Sequence, residues 1–220
     1  MRILITAGPT REAIDPVRYI SNRSSGKMGY ATAAAAADAG HEVTIVSGPV
    51  SLSPPENVTV IHVESAQQMF DSVAHRIGSV DVAIMTAAVA DYRPATIAAE
   101  KIKKSGDTVI LTLEKTQDIL GSARTTFGFR GLLVGFAAET TDVEINALNK
   151  LARKGCNMII ANDVSRPGIG FDSDQNAVTI FFADGRSHEI AVTTKLAIGS
   201  EIIRLVEKEA SNLQLHDGSK

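Results

Sequence analysis

The residues best suited to chemistry stand in the run Ser21-Asn22-Arg23-Ser24-Ser25-Gly26-Lys27-Met28-Gly29. Hydroxyls, a side-chain amide, cations and glycines are gathered there, just ahead of an alanine-rich segment. Glycines admit a ligand close to the backbone, and a helix opening here offers N–H groups and a positive dipole end to an anion. Arg11 and Arg18 add to a local basic bias that the chain as a whole lacks. The run is reached from an apolar segment, Ile3-Leu4-Ile5, through Thr6-Ala7-Gly8-Pro9-Thr10. The chemistry expected between Gly8 and Gly29 is therefore the holding of a phosphate-bearing nucleotide. The run is not a P-loop: Ser21 stands where the first glycine of that motif belongs, and Met28 where Ser or Thr is needed. It is not a compact dinucleotide fingerprint either, since Gly8 and Gly26 lie far apart. A purely structural role for the glycines leaves the coincident serines and cations unexplained.

Other chemical groups recur after apolar runs. Thr86, Ala87 and Ala88 follow Val82-Ala83-Ile84-Met85, and their small size leaves room for a ligand; Asp91 could hold hydroxyls or a cation, or simply cap the loop. Lys101-Ile102-Lys103-Lys104 reads as a strand, either a lysine-protected edge or a mobile arm that neutralises phosphates. Gly135-Phe136-Ala137-Ala138-Glu139-Thr140 leaves another apolar run, and Lys150 and Lys154 share a face of the helix that follows. Asn162-Asp163 ends a further strand on the same side. Cys156 precedes a buried strand and reads as core; His41, His62, His75 and His188 are scattered. There is no Gly-x-Ser-x-Gly elbow and no Cys/His metal spacing.

The elements that must position these groups alternate. Strands are expected at Ile3–Ile5, Glu42–Val46, Val58–Val63, Val82–Met85, Leu132–Phe136 and Met158–Ala161. Helices are expected at Gly26–Ala39, after a capping box at Ser65–Gln68, at Thr141–Lys154 and at Thr193–Glu209. Continuously apolar strands suit a parallel sheet covered on both faces. The fold class expected is α/β: a doubly wound, Rossmann-like parallel sheet with a flap hairpin and a small antiparallel extension. The flap is placed at Ala98–Leu113, turning at Ser105-Gly106-Asp107, and the extension at Val178–Ile190, turning at Asp184-Gly185. Residues 1–210 are expected to form one nucleotide-binding domain and residues 211–220 a frayed polar tail. With 220 residues and a net charge of -3, a sizeable core is affordable and a general nucleic-acid or membrane-surface binder is disfavoured. No apolar run is long enough to span a bilayer, the first residues read as a strand rather than a leader, and a single cysteine fits a reducing cytoplasm.

Taken together, ITAGPTREAIDPVRYISNRSSGKMG, VTIVSGPVSL, AAVADYRP, EKIKK, VGFAAET and ANDVS, between Ile5 and Ser165, closely resemble the phosphopantothenoylcysteine synthetases, the phosphopantothenate–cysteine ligases of coenzyme A biosynthesis. In bacteria that enzyme is the second domain of a bifunctional protein. The resemblance implies that 4′-phosphopantothenate attacks the α-phosphate of CTP, with Mg2+ present, to form an acyl-cytidylate. L-cysteine then displaces CMP. It implies that Asn22 stabilises the intermediate and that Ser24, Ser25, Gly26 and Lys27 line the phosphates beside Gly8. Thr86, Ala87 and Ala88 would face the base, and Asp91 would hold nucleotide or cation. Lys101 would reach the triphosphate on its flap, near the partner subunit of a homodimer. Gln117, Asp118, Ile119, Leu120, Phe136, Lys150 and Lys154 match further nucleotide positions, although the family pattern has proline where Gln117 stands. The flavin-bearing decarboxylase half of the bifunctional proteins has no counterpart in these residues, so no flavin is expected. The choice of CTP over ATP is what the resemblance implies, and no residue is assigned to the metal.

Two other readings are open on residues alone. An NAD(P)-dependent oxidoreductase needs an acidic residue at the end of the second strand, where Val46-Ser47-Gly48 stands. A non-catalytic nucleotide sensor needs neither Asn22 nor a lysine flap.

Overall fold

A computed structural model describes residues 1–104, 106–163 and 173–217. Its elements run β1 (Arg2–Ala7), β2 (Arg11–Ala13), β3 (Tyr19–Ser21), α1 (Lys27–Asp38), β4 (Glu42–Ser47), β5 (Val58–His62) and α2 (Ala66–Arg76), which ends in a 3-10 turn. There follow β6 (Val82–Met85), β7 (Tyr92–Pro94), β8 (Leu113–Lys115), α3 (Ile119–Thr125), β9 (Leu132–Glu139), α4 (Val143–Lys154), β10 (Met158–Asp163), β11 (Gln175–Phe182), β12 (Ser187–Thr194) and α5 (Lys195–Asp217).

The main sheet has the order β12-β11-β10-β9-β6-β1-β4-β5. From β10 to β5 every neighbouring pair is parallel, and β11 and β12 are added antiparallel at one edge. Counting only the parallel strands, the order reverses at β1, which pairs with β4 on one side and β6 on the other. That reversal opens a crevice at the carboxyl ends of β1 and β6, the place where doubly wound sheets bind ligands. Strand alternation builds two cores. Ile3, Ile5 and Ala7 face α1 and α5, while Leu4 faces α2, α3 and α4 among Met69, Val73, Ala123 and Leu151. The alanines of α1 let helices crowd: a Cβ at Gly199 of α5 would meet the Ala31 carbonyl oxygen at 2.8 Å.

The doubly wound sheet and its antiparallel extension match the sequence expectation, and the Ser65–Gln68 capping box has both of its hydrogen bonds. Three expectations are corrected. The flap does not pair along Ala98–Leu113; its ladder lies at the base, between β7 and β8, extended by Ala95 N–H to Thr112 O at 3.0 Å. Val109, Ile110 and Leu111 stay exposed, so a ribbon there would have no face to pack, and a lone two-stranded ribbon is marginal in water. Lys101–Lys104 are accordingly in no strand, and Ser105 of the expected turn lies outside the described residues. The last helix starts after the sheet has claimed Thr193 and Thr194, and it runs to Asp217 where Glu209 was the expected end. The β2–β3 hairpin and α3 were not foreseen, being too short to show a period.

Candidate functional site

The crevice begins with a framework of hydrogen bonds between the segments that leave β1 and β6. Thr86 Oγ1 donates to Thr6 O at 2.6 Å, Ala88 N–H to Gly8 O at 2.9 Å, and Ala90 N–H to Thr10 Oγ1 at 3.0 Å. Asn22 reaches over from the end of β3, its Nδ2 donating to Ala88 O at 3.2 Å and Val89 O at 3.0 Å. Gly48 allows the Pro9 turn to fold onto the end of β4: a Cβ there would fall 1.8 Å from Pro9 O. Gly26 precedes α1 in the left-handed region, with φ of 76°, and no side chain caps the helix start. The first turn of α1 therefore presents its donors toward the crevice.

Two cavities flank this framework. One of about 390 Å³ is lined by Asn22, Ser24, Ser25, Gly26, Lys27, Gly29, Thr86, Ala87, Ala88, Asp91, Phe136 and Lys150. The other, of about 1090 Å³, is lined by Ala87, Asp91, Gln117, Asp118, Ile119, Leu120, Phe136, Lys150 and Lys154. Ala87, Val89, Asp91, Phe136 and Lys150 border both, so the two volumes adjoin at a shared wall and together make a trough across the strand ends. The structure thus brings together the residues singled out in the sequence, with two exceptions. Gly8 lies beneath the trough as part of the framework. Lys101 is exposed and borders neither cavity; the peptide after it is tied to the β2–β3 turn.

The charges of the trough are unevenly held. Lys150 is half-buried, and its Nζ donates to Phe136 O at 2.6 Å. Burial pushes its pKa down, partly offset by Glu139. Lys154 is paired with Asp118, whose carboxylate also caps α3 by accepting from Gly121 N–H at 2.9 Å. Burial alone would raise Asp118, but the Lys154 ammonium and the Gly121 N–H hold it below the ordinary carboxylate value. Lys27 is paired with Asp174 at 2.6 Å. Ala87 and Ala88 have most of their backbone groups engaged, through Thr6 Oγ1, Gly8 O, Thr10 N–H and Asn22. Cys156 lies in the core, its thiol pushed up by burial to about 12.

Several trough residues escaped the sequence reading. Asn146, Asn149 and Arg153 join Lys150 and Lys154 on one polar stripe of α4, a helical spacing of three and four that was visible but read only at its lysines. Asn176 and Lys195, 3% and 6% exposed, come from β11 and the start of α5, far away in sequence and without a motif. Asn162 Oδ1, on the cavity wall, is buried with no hydrogen-bond partner among the described residues. A buried acceptor left unmatched is costly, so a donor from a ligand would find a place there.

Residues 1–210 match the family described as the DNA/pantothenate metabolism flavoprotein C-terminal domain. The chain is 51% identical over 207 residues to the coenzyme A biosynthesis bifunctional protein CoaBC of Vibrio vulnificus (strain YJ016), covering 93% of this chain and 51% of that protein. It is 47% identical over 206 residues to CoaBC of Bacillus subtilis (strain 168), covering 92% of this chain and 50% of that protein. The chain thus spans about half the length of the curated relatives it matches. Among solved structures, the C-terminal domain of a CoaBC protein superposes with a TM-score of 0.82 at 46% identity, over 96% of each chain. A Cab2 H337A variant in complex with phosphopantothenate-cysteine shares the fold, with a TM-score of 0.82 at 16% identity over 99% of this chain and 89% of that one. The resemblance drawn from the Asn22 loop and the Ala87, Lys101 and Phe136 blocks is borne out. The chain belongs to the DNA/pantothenate metabolism flavoprotein C-terminal domain family, similar throughout its length to the C-terminal domain of CoaBC proteins.

Proposed function

We propose that this chain is a ligase of coenzyme A biosynthesis that joins 4′-phosphopantothenate to L-cysteine at the expense of CTP. A carboxylate oxygen of phosphopantothenate attacks the α-phosphorus of CTP, its bond to the bridging oxygen breaks, and pyrophosphate leaves with the electron pair. The cysteine amine then attacks the acyl carbon, loses a proton, and CMP departs. The observation that carries the reading is the pair of adjoining cavities: they set an uncapped helix start and Asn22 at one end and Lys150, Arg153 and Lys154 at the other, with a shared wall between. Two anionic substrates must be held in line for the first step, and fixed donors along one wall supply both position and charge.

In this reading Ser24, Ser25, Gly26 and Lys27 hold phosphate at the α1 end, and Lys150 and Lys154 hold it at the α4 end. Thr86, Ala87, Ala88 and Phe136 shape the wall against the nucleoside, with the 117–120 segment opposite. Asn22 donates to the acyl phosphate, and the unmatched Asn162 Oδ1 accepts from the ligand. Mg2+ would be held by Asp91, an exposed carboxylate on the shared wall, and by substrate phosphates, as suits an ion that takes few protein ligands. It would neutralise phosphate charge. The protein is a homodimer in which the Lys101 arm reaches a partner's trough. Val17, Tyr19, Tyr92 and Leu113 support this, for they leave an apolar surface exposed on the β2–β3 and β7–β8 ribbons beside the arm. The rival oxidoreductase reading is disfavoured because β4 ends in a buried Ser47, which accepts from Tyr30 Oη at 3.0 Å, where a ribose-binding acid is needed.

Incubation with 4′-phosphopantothenate, cysteine, CTP and Mg2+ should release pyrophosphate and CMP in step with amide formation. Absence of pyrophosphate with every nucleoside triphosphate would overturn the proposal; release with ATP alone would overturn the choice of CTP.

A further inference from the structure

The Lys101 arm has no ladder to hold it. Residues Ala98–Lys104 are in no regular element, yet the arm is fixed to the body beside Lys101. Ile102 N–H donates to Asp15 Oδ2 at 3.1 Å, and Ile102 O accepts from Arg18 Nη2 at 3.0 Å. Asp15 and Arg18 are themselves joined, Arg18 Nε donating to Asp15 Oδ2 at 3.0 Å. One ion pair thus grips both backbone hydrogen-bonding groups of Ile102, the residue next to Lys101.

Asp15 is unusual in its own right. Its side chain is wholly buried, and burying a carboxylate is expensive unless donors saturate it. Oδ1 accepts from Val17 N–H and Arg18 N–H, both at 2.9 Å, and with the Ile14 and Asp15 N–H bonds to Arg18 O these close the β2–β3 turn. Oδ2 accepts from the Arg18 side chain and, beyond the turn, from Ile102 N–H. The Arg18 guanidinium and these N–H groups hold the Asp15 carboxyl well below the usual carboxylate range, so it stays charged at any working pH. A second tie, Ala98 N–H to Ile14 O at 3.0 Å, brings the root of the arm to the same turn.

We infer that Asp15 is a positioning residue for Lys101: through the Ile102 peptide it sets where the lysine arm stands. The role of Lys101 at the substrate phosphates rests on the ligase reading above, whereas the clamp does not.

The test uses the full chain with Asp15→Asn, and with Ile102→Pro against Ile102→Ala. Ile102→Pro removes the N–H that donates to Asp15 and also restricts the backbone on either side of it, leaves the Asp15–Arg18 pair in place, and stands in should Asp15→Asn fail to fold. Limited trypsin cleavage after Lys103 and Lys104 is expected to quicken at least tenfold in Asp15→Asn and Ile102→Pro and to stay unchanged in Ile102→Ala. Turnover is expected to fall by the factor seen in Lys101→Gln, with the KM for cysteine unchanged, and Asp15→Asn should lose nothing more in the Lys101→Gln background. Unchanged cleavage in Ile102→Pro would overturn the clamp. Losses that multiply in the Asp15→Asn/Lys101→Gln double variant would show Asp15 acting apart from Lys101 and would overturn the positioning role. If the wild-type chain releases no pyrophosphate, the ligase reading fails, and the cleavage rates still decide the clamp.

Discussion

The side-chain amide of Asn22 donates to the carbonyl of Val89 at 3.0 Å, so the loop that leaves β3 is fastened to the loop that leaves β6. A second bond runs from the same nitrogen to Ala88 O at 3.2 Å. Asn22 thus closes the crevice where the sheet order reverses, and it stands where the acyl phosphate is proposed to form. Asn22→Asp replaces the donor by an anion facing two carbonyl oxygens and a phosphate. A first-turnover burst of pyrophosphate without matching amide product is the expected outcome, measured by quenched flow. Amide formation at the wild-type rate would remove Asn22 from the proposed chemistry.

Lys101 is exposed, so its loss should cost function and not fold. Lys101→Gln is expected to lower kcat roughly tenfold to a hundredfold, the equivalent of one charge-assisted hydrogen bond at about 1.5–3 kcal/mol. The melting temperature should match that of the wild type. A large drop in melting temperature would instead assign the lysine to the folded core of the arm.

Lys150 should give nucleotide binding a distinctive pH dependence. Burial lowers its pKa from the ordinary 10.5, so it sheds its proton before an exposed lysine does. The cation proposed to face the phosphates is therefore lost as the pH rises through that lowered value, before an exposed lysine titrates. Nucleotide affinity, followed by calorimetry, should weaken as the pH rises through it, with proton uptake on binding. In Lys150→Gln the affinity should be about tenfold to a hundredfold weaker at neutral pH, and this part of the pH slope should vanish.

Much of this was legible in the residues. Runs such as Val82–Met85 and Met158–Ala161 are apolar at every position, and only a strand covered on both faces needs that, so sheet type and strand location followed. The Asn22–Gly29 loop was legible because its polar groups lie consecutively on the way into α1. Lys195 and Asn176 were not, because they meet the trough only after β11 has folded back antiparallel on β10 and β12 on β11. Asp15 was passed over for a related reason: its partners include the Ile102 peptide, and a backbone group leaves no mark in sequence. The pairing of the flap was misplaced because alternation in Ala98–Leu113 speaks to side-chain period, while pairing also requires a surface on which one face can be buried.

Cys156 tests the two-faced core chemically. Its thiol is buried between β10 and the α3–α4 side of the sheet, and burial raises its pKa from 9.0 to about 12. At pH 8 the thiolate population should be roughly a thousandfold below that of an exposed cysteine. A disulfide reagent such as DTNB should leave the native chain unlabelled and titrate one thiol after denaturation. Rapid labelling of the native chain would mean that this face of the sheet opens readily.

Gly48 offers the sharpest test of how the site is assembled. The Pro9 turn lies against it so closely that a Cβ would sit 1.8 Å from Pro9 O and 2.8 Å from Pro9 C, both backbone atoms with little freedom to yield. The Pro9 turn also carries Thr10, whose Oγ1 accepts from Ala90 N–H at 3.0 Å, so displacement would be passed on to the trough wall. Gly48→Ala should therefore destabilise the chain by about 1–3 kcal/mol, the usual cost of overpacking, and weaken nucleotide binding at the same time. Gly78, where an added Cβ meets nothing within 4 Å, is the control, and Gly78→Ala should leave both quantities unchanged. Urea unfolding and nucleotide titration on the two variants read these effects separately. A Gly48→Ala chain that unfolds like the wild type would mean that the Pro9 turn can move away from β4, and the crevice would then not be rigidly preformed.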